Sequence, residues 1–292
     1  MDLIDLHTHS TCSDGTFTPR RLVHLAKETG LRAVALTDHD TVAGVQEALE
    51  AGENIGLEVV AGVEISAEHS PGIMHILGYY LSPTNPELLD VLKRLQEARA
   101  ARYPRIIERL QALDLEITET EVTSLSEGQV GRSHIARALV NRGHASSLSE
   151  AFARYLKKGG PAYVEKSRLP AQEVIALIRR AGGLTVLAHP FSLGIDQPGE
   201  LISLVRRLRA TGLEGIEVFS PHHTEEMTAF YREIASRHGL LCTGGSDFHG
   251  DLSNGGHLGG TEKGLKLPYA LLQGLKERLR EGRESAVREC QW

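Results

Sequence analysis

The sequence predicts an α/β protein with seven strands in one parallel sheet, open or closed, and a helical insertion after strand four. Three observations carry this expectation. Short apolar runs alternate with amphipathic helical patterns toward both ends of the chain. That alternation stops between about Pro83 and Lys166, where only helical patterns remain. Finally, every predicted strand carries, or is soon followed by, a histidine or an acidic residue. A length of 292 residues suits a single α/β barrel as well as it suits two domains.

Taken in order, Leu3 to Leu6 reads as the first strand. Thr18 then offers an N-cap with Pro19 at the first helical position, and Leu22, Val23, Leu25 and Ala26 mark one face of the helix that follows. Ala33 to Leu36 is the second strand, followed by a helix from about Val42 to Ala51. Val59 to Ile65 and Ile73 to Tyr80 are the third and fourth strands. One long helix is predicted from Pro86 to Leu113. The βα rhythm resumes near Pro170 with a helix to Ala181 and a strand Leu184 to Ala188. A helix over Leu201 to Ala210, a strand Gly215 to Phe219, a helix to His238, a strand Leu240 to Gly244 and a last helix Tyr269 to Arg280 complete it. The expected division is residues 1–82 and 167–292 as the barrel, with 83–166 as a helical, substrate-binding cap that leaves strand four at the rim carrying the site.

Composition narrows the functional class. No stretch approaches the length of a membrane span, and the N-terminus lacks a basic segment followed by an apolar one, so a cytoplasmic location and no membrane partner are expected. The three cysteines, Cys12, Cys242 and Cys290, are far apart and imply neither a disulfide framework nor a zinc motif. A net charge of −6 argues against a protein that coats long nucleic acid. Residues 87–168 nevertheless carry 14 Lys and Arg against 11 Asp and Glu. A basic segment on an acidic chain points to a specific anionic ligand. No obligate protein partner is evident.

The placement of acids and imidazoles is the strongest functional signal. His7 and His9 share one face at the end of strand one, because successive strand residues alternate sides. An isolated H-x-H is more often an ordinary pair of strand-end residues than a metal site. Here Asp14 follows on the next loop, His39 follows strand two, Glu64 ends strand three, His75 lies on strand four, His189 ends strand five, and Asp247 and His249 follow strand seven. In parallel α/β folds the carboxyl ends of the strands share one face, where sites are built. Nine candidate ligands exceed the needs of one ion, so two or three divalent ions are expected, with Glu64 as the natural bridge. Nitrogen and hard oxygen donors without thiolate suit Mn, Zn or Fe.

As a set, D-L-H-T-H-S with S-D-G, T-D-H-D, G-V-E, the histidine of M-H-I-L-G, A-H-P and G-S-D-F-H resemble the PHP (polymerase and histidinol phosphatase) phosphoesterases, in that family's order. The resemblance covers about residues 1–80 and 170–265. It implies a distorted seven-stranded (β/α)7 TIM-like barrel with a trinuclear centre. It implies further that His7, His9, Glu64 and Asp247 hold one ion, Glu64, His75 and His189 a second, and Asp14, His39 and His249 a third. Some relatives have histidine where Asp14 stands, and a carboxylate there implies a harder ion, with Mn first. Arg99, Arg102 and the Gly131-Arg132-Ser133-His134 stretch resemble the branch of the family containing TrpH-like proteins. That branch is associated with 3′,5′-nucleoside bisphosphate phosphatase activity and with 5′-to-3′ trimming of short RNA.

The expected chemistry is in-line attack on phosphorus by a metal-activated hydroxide, without a covalent intermediate. Asp14, His222 and His223 are candidate assistants, and His222, His223 and a metal-polarised water are the candidate donors to the leaving alkoxide. Arg99, Arg102, Arg132, Ser133, His134 and Lys158 are the candidate substrate contacts. Arg99 and Arg102 are neighbours on one helix face, and Arg132 to His134 open the next helix, whose free N–H groups favour an anion. A small phosphorylated nucleotide or a short oligonucleotide fits this arrangement. Histidinol phosphate would not need the basic segment. A metal-free interaction module conflicts with the complete ligand set, and an amidohydrolase with the T-D-H-D and G-S-D-F-H pattern.

Overall fold

The computed structural model describes residues 2–126, 128–250, 257–259 and 265–289. Strands β1 (Leu3–Thr8), β2 (Leu31–Leu36), β3 (Glu58–Ala67), β4 (Met74–Tyr79), β5 (Leu184–Leu187), β6 (Gly215–Phe219) and β7 (Leu241–Gly244) form one sheet in sequence order. Helices α1 (Pro19–Glu28) and α2 (Val45–Ile55) connect β1 to β3. Helices α3 (Pro86–Ala100), α4 (Tyr103–Gln111), α5 (Glu119–Thr123), α6 (Arg132–Asn141), α7 (Leu148–Ala151) and α8 (Ala171–Arg180) lie between β4 and β5. Helices α9 (Pro198–Ala210), α10 (Glu225–His238) and α11 (Ala270–Glu289) complete the framework. No described helix is long and apolar enough to cross a membrane.

Local chemistry explains several boundaries. Thr18 caps α1 by accepting from the Arg21 N–H at 3.3 Å, with Pro19 opening the helix and Leu22, Val23 and Ala26 buried. The predicted single helix from Pro86 to Leu113 is instead two. Pro104 has no N–H, and its ring would clash with the Ala100 carbonyl, so α3 stops at Ala100 and α4 starts at Tyr103.

Two expectations about the sheet are corrected. It is not all parallel, because β4 runs antiparallel to both β3 and β5. Nor does a ladder join β7 to β1 among the described residues, so the expected closed barrel is open at that seam. A bridge between Thr8 and Phe248 links β1 to the segment just beyond β7. The close approach there requires glycine at 245, where a Cβ would lie 2.3 Å from that of His7.

The reversed β4 also changes where the helical segment departs. Tyr79 at the end of β4 pairs with Leu184 at the start of β5, and the Ser82 N–H donates to the Ala181 carbonyl at 2.8 Å. The segment therefore leaves from the face opposite the site, not from the rim. Helix α3 climbs the outside of the sheet and α8 descends beside it. Leu88, Leu92 and Leu95 of α3 join Val174, Ile175 and Ile178 of α8 in the main core. A separate apolar cluster, including Ile106, Ile107, Leu110, Ile135, Leu139 and Leu156, holds the helices between them. Inside the sheet, Ile4, Leu6, Ala33, Leu77 and Val186 pack with Leu272 and Leu275 of α11.

Candidate metal centre

The upper ends of the strands deliver the candidate ligands to one place. His75 belongs to this set because β4 is reversed: it lies at the start of its strand, next to the ends of β3 and β5. Three neighbourhoods have ligand atoms all within 4.8 Å of one another: His7, His9, Glu64 and Asp247; His9, Asp14, His39 and His249; and His39, Glu64 and His75. His9, His39 and Glu64 each serve two of them. His189 stands beside the third, with its Nε2 at 2.9 Å from Glu64 Oε1 and 3.3 Å from His75 Nδ1.

Glu64 is at the middle. Its Oε2 lies 2.9 Å from His39 Nδ1 and 3.3 Å from both His7 Nε2 and His9 Nε2, while Oε1 lies 2.7 Å from His75 Nδ1. Burial alone would raise its carboxyl pKa, yet the surrounding His39, His75 and His7 hold it well below the usual carboxylate range. Asp247 and Asp14 are likewise held down against burial by neighbouring histidines. His249 is pushed up to about 10: burial opposes the charge, but Asp14 and Asp247 outweigh it.

The residues fit divalent cations. His7 Nε2, His9 Nε2, Asp14 Oδ1, His39 Nδ1, Glu64 Oε2 and Asp247 Oδ1 are all buried without a hydrogen-bond partner and belong to the same three neighbourhoods. Such groups are costly unless something occupies the space between them. Two candidate ligands, His189 (φ 21°) and Asp247 (φ 54°), have backbone conformations that L-residues rarely adopt, as does Asp40 (φ 51°) beside His39.

Supporting residues missed by the sequence reading surround the centre. Asp38 accepts from the Ser10 N–H at 2.7 Å and from the Ser10 and Ser13 hydroxyls at 2.6 Å, fixing the loop between His9 and Asp14. Buried Asp5 accepts from the Ser246 N–H at 3.0 Å and the Gly259 N–H at 2.8 Å, tying the Asp247 turn to β1. Glu217 contacts both His7 and His189. A charged residue inside an apolar strand, as in Gly-Ile-Glu-Val-Phe, is the signal that could have found Glu217.

A cavity of about 210 Å³ lies against this cluster. Asp14, His39 and His75 line one wall, and Arg99, Arg102, Arg132, Ser133, Lys166 and Arg168 line the other. The helical segment is docked over it. Ser133 donates to Asp14 Oδ2 at 3.1 Å, and a Cβ at Gly128 would lie 2.2 Å from the Thr11 carbonyl oxygen. Arg99 and Lys166 meet on Asp40 Oδ2, at 2.7 and 2.8 Å. Arg102 is pulled down to about 10, first by burial and then by Arg132, Arg168 and Arg99 nearby. Its Nη2 and the Arg99 Nε are buried donors without a partner. Crowded cations with unused N–H groups have the chemistry to bind an anion.

Not every sequence candidate reaches the cavity. His134 is buried, but its Nδ1 accepts from the Gly131 N–H at 3.0 Å and caps α6. Lys158 is exposed, with its Nζ 3.4 Å from the Ser70 hydroxyl. His222 and His223 pack on the Phe191 ring, which separately contacts His189; neither enters any of the three ligand neighbourhoods.

Comparison with known proteins agrees with this geometry. Residues 5–168 match the PHP domain family. The chain is 35% identical over 246 residues to a 5′-3′ exoribonuclease of Haemophilus influenzae, covering 84% of this chain and 89% of that protein. It is 33% identical over 269 residues to a 3′,5′-nucleoside bisphosphate phosphatase of Chromobacterium violaceum, covering 89% and 91%. A crystal structure of a candidate metal-dependent phosphoesterase from Bifidobacterium adolescentis superposes with a TM-score of 0.85 at 35% identity, over 94% of this chain and 95% of that one. With a seven-stranded α/β sheet, clustered histidines and acids at one rim, and similarity along most of its length, this chain belongs to the PHP-domain phosphoesterases.

Proposed function

We propose that this phosphoesterase removes the 3′-phosphate from nucleosides phosphorylated at both 3′ and 5′ positions, for example converting 3′,5′-bisphosphoadenosine to AMP and phosphate. The observation that carries this reading is the two-sided cavity, with Asp14, His39 and His75 facing Arg99, Arg102, Arg132, Lys166 and Arg168. The His7 to His249 ligand set would hold two or three divalent ions, with Mn first. When bound, such ions supply an activated water and neutralise the oxygens of the scissile phosphoryl group.

The chain's own residues do the rest. The unused N–H groups of Arg99 and Arg102 are free to bind a second, non-scissile phosphate, and Arg132 adds charge beside them. Ser133 holds Asp14 in place. The ring of Tyr163 lies 5.4 Å from the Arg102 guanidinium carbon and 5.9 Å from that of Arg132, flanking the basic wall. Holding the second phosphate would orient the first toward the ligand cluster, so remote binding energy would assist the chemical step.

A second reading places the 5′ end of a short RNA against the same basic wall, making the enzyme a 5′-to-3′ exoribonuclease. Similarity to the Haemophilus influenzae protein favours it. The two readings share one cavity and one ligand set.

The test compares phosphate release by Mn-loaded protein from 3′,5′-bisphosphoadenosine, histidinol phosphate, an aryl phosphate and a 5′-phosphorylated trinucleotide, alongside nucleotide release from the last. The bisphosphate is expected to be the best substrate, and Arg132→Ala to raise KM mainly for substrates with two phosphates. Preference for the trinucleotide selects the second reading. A wide preference for histidinol phosphate, or equal loss on the aryl phosphate in Arg132→Ala, overturns the assignment of the basic wall.

A further inference from the structure

Glu217 lies in the middle of β6 with 1% of its surface exposed, and its two carboxylate oxygens serve β1 and the segment just beyond β5. Oε1 is 3.1 Å from His7 Nδ1, and Oε2 accepts from the His189 backbone N–H at 2.7 Å. The imidazoles of these two residues are stacked, with ring centroids 5.6 Å apart.

We infer that Glu217 is a positioning residue of the metal centre, fixing the ligating tautomer of His7 and holding the backbone of His189 in the conformation that aims its ring inward. An ionised carboxylate only accepts hydrogen bonds, so His7 Nδ1 must carry the proton. The lone pair is then on Nε2, the buried unpartnered atom that faces Glu64 and Asp247 at 3.3 and 3.4 Å. Outer partners of this kind orient ligands and tune their affinity. At His189 the same side chain acts on the main chain. The φ of 21° is sparsely populated, and the Oε2 bond pins that residue where Nε2 meets Glu64 Oε1 at 2.9 Å. One side chain thus couples a ligand from β1 to a ligand after β5.

No neutral isostere can do both. Glutamine offers one oxygen and one NH2 group. If the NH2 faces His7, Nδ1 must accept, which moves the proton to Nε2 and removes the ligating lone pair. If it faces His189, a donor meets a donor.

The inference rests on the metal-centre reading, and its test separates the two. Mn affinity and stoichiometry are measured for the wild type and Glu217→Gln by titration and elemental analysis, together with melting of the metal-free proteins. Glu217→Gln is expected to bind Mn about 10- to 100-fold more weakly, with a metal-free melting temperature close to wild type. Unchanged affinity in the variant overturns the inference, whereas a wild type that binds no divalent ion overturns the metal centre itself. Should the variant fail to fold, long-range 15N NMR of the zinc-loaded wild type decides. A proton on His7 Nδ1 with Nε2 ligated supports the role, and the reverse tautomer overturns it.

Discussion

Asp40 binds Arg99 with the same carboxylate oxygen that binds Lys166, and those two cations stand where the chain enters and leaves the helical segment over the cavity. Asp40 is fully buried, and its neighbour His39 is a candidate ligand. One buried charge therefore ties the docking of that segment to the rim of the metal centre. Asparagine tolerates the positive φ of this position, so Asp40→Asn isolates the charge. Leaving two nearly buried cations without it should destabilise the protein by about 3 kcal/mol, read by urea denaturation. A loss under about 0.5 kcal/mol would show that the carboxylate holds nothing.

Lys166 gives the pH dependence. Its pKa is lowered to about 8, by burial first and by Arg99 next, against the attraction of Asp40. Below that value the ammonium is charged and adds to the basic wall; above it the neutral amine adds no charge. KM for a doubly phosphorylated substrate is expected to rise as pH passes through about 8. Lys166→Met should have a raised KM already at neutral pH and lose that inflection. The folded chain gives up this proton before the unfolded chain does, so the lysine's own contribution to stability becomes more favourable as pH rises above about 8.

Metal removal should abolish hydrolysis, with activity returning on adding Mn. Ligands bound at about 100 times their dissociation constant add about 2.7 kcal/mol to stability, so chelation should also lower the melting temperature. His9 serves two ligand neighbourhoods and His75 one. His9→Ala should therefore lose more bound metal than His75→Ala by elemental analysis. Equal losses would mean that the shared position of His9 carries no shared role.

Arg102→Ala removes a buried guanidinium whose Nε donates to the Val164 carbonyl at 2.7 Å and whose Nη2 is unused. KM for the bisphosphate should rise by roughly 10-fold or more, the scale of a charge-assisted hydrogen bond of about 1.5–3 kcal/mol. The aryl phosphate should change much less. Melting curves check that the lost Val164 contact is not the cause.

His222→Ala should leave kcat/KM close to that of the wild type. This histidine is exposed and packs on Phe191 outside the ligand neighbourhoods. A 100-fold fall in kcat would return it to the role of proton donor.

The gathering of the candidate ligands at the strand ends was legible because alternation along a strand and proximity of strand ends are properties of local sequence. His7, His9, Glu64 and Asp247 needed only that. The direction of β4 was not legible: Met-His-Ile-Leu-Gly-Tyr reads the same for a strand running up or down, and its orientation is set by pairing with β3 and β5. The break before Pro104 was legible in principle, since proline excludes a helical N–H bond at that point. Glu217, Asp38 and Asp40 were missed because their partners lie far along the chain, on Ser10, His7, Arg99, Lys166 and His189. His134 misled for the opposite reason, since its partner is three residues away at a helix start.

The Ser82–Ala181 hydrogen bond divides the chain into a scaffold and an arm. It closes a splice point: the backbone departs after one sheet strand and rejoins one position from where a plain hairpin would have turned. Everything between is a looped-out arm, with α3 and α8 as a stalk sealed to the sheet and residues 103–164 as its head. The head shares no strand with the scaffold. Of the cations lining the cavity, Arg132 belongs to the head, while Arg99, Arg102, Lys166 and Arg168 stand at its junction with the stalk, so the basic wall is built where the arm meets the scaffold.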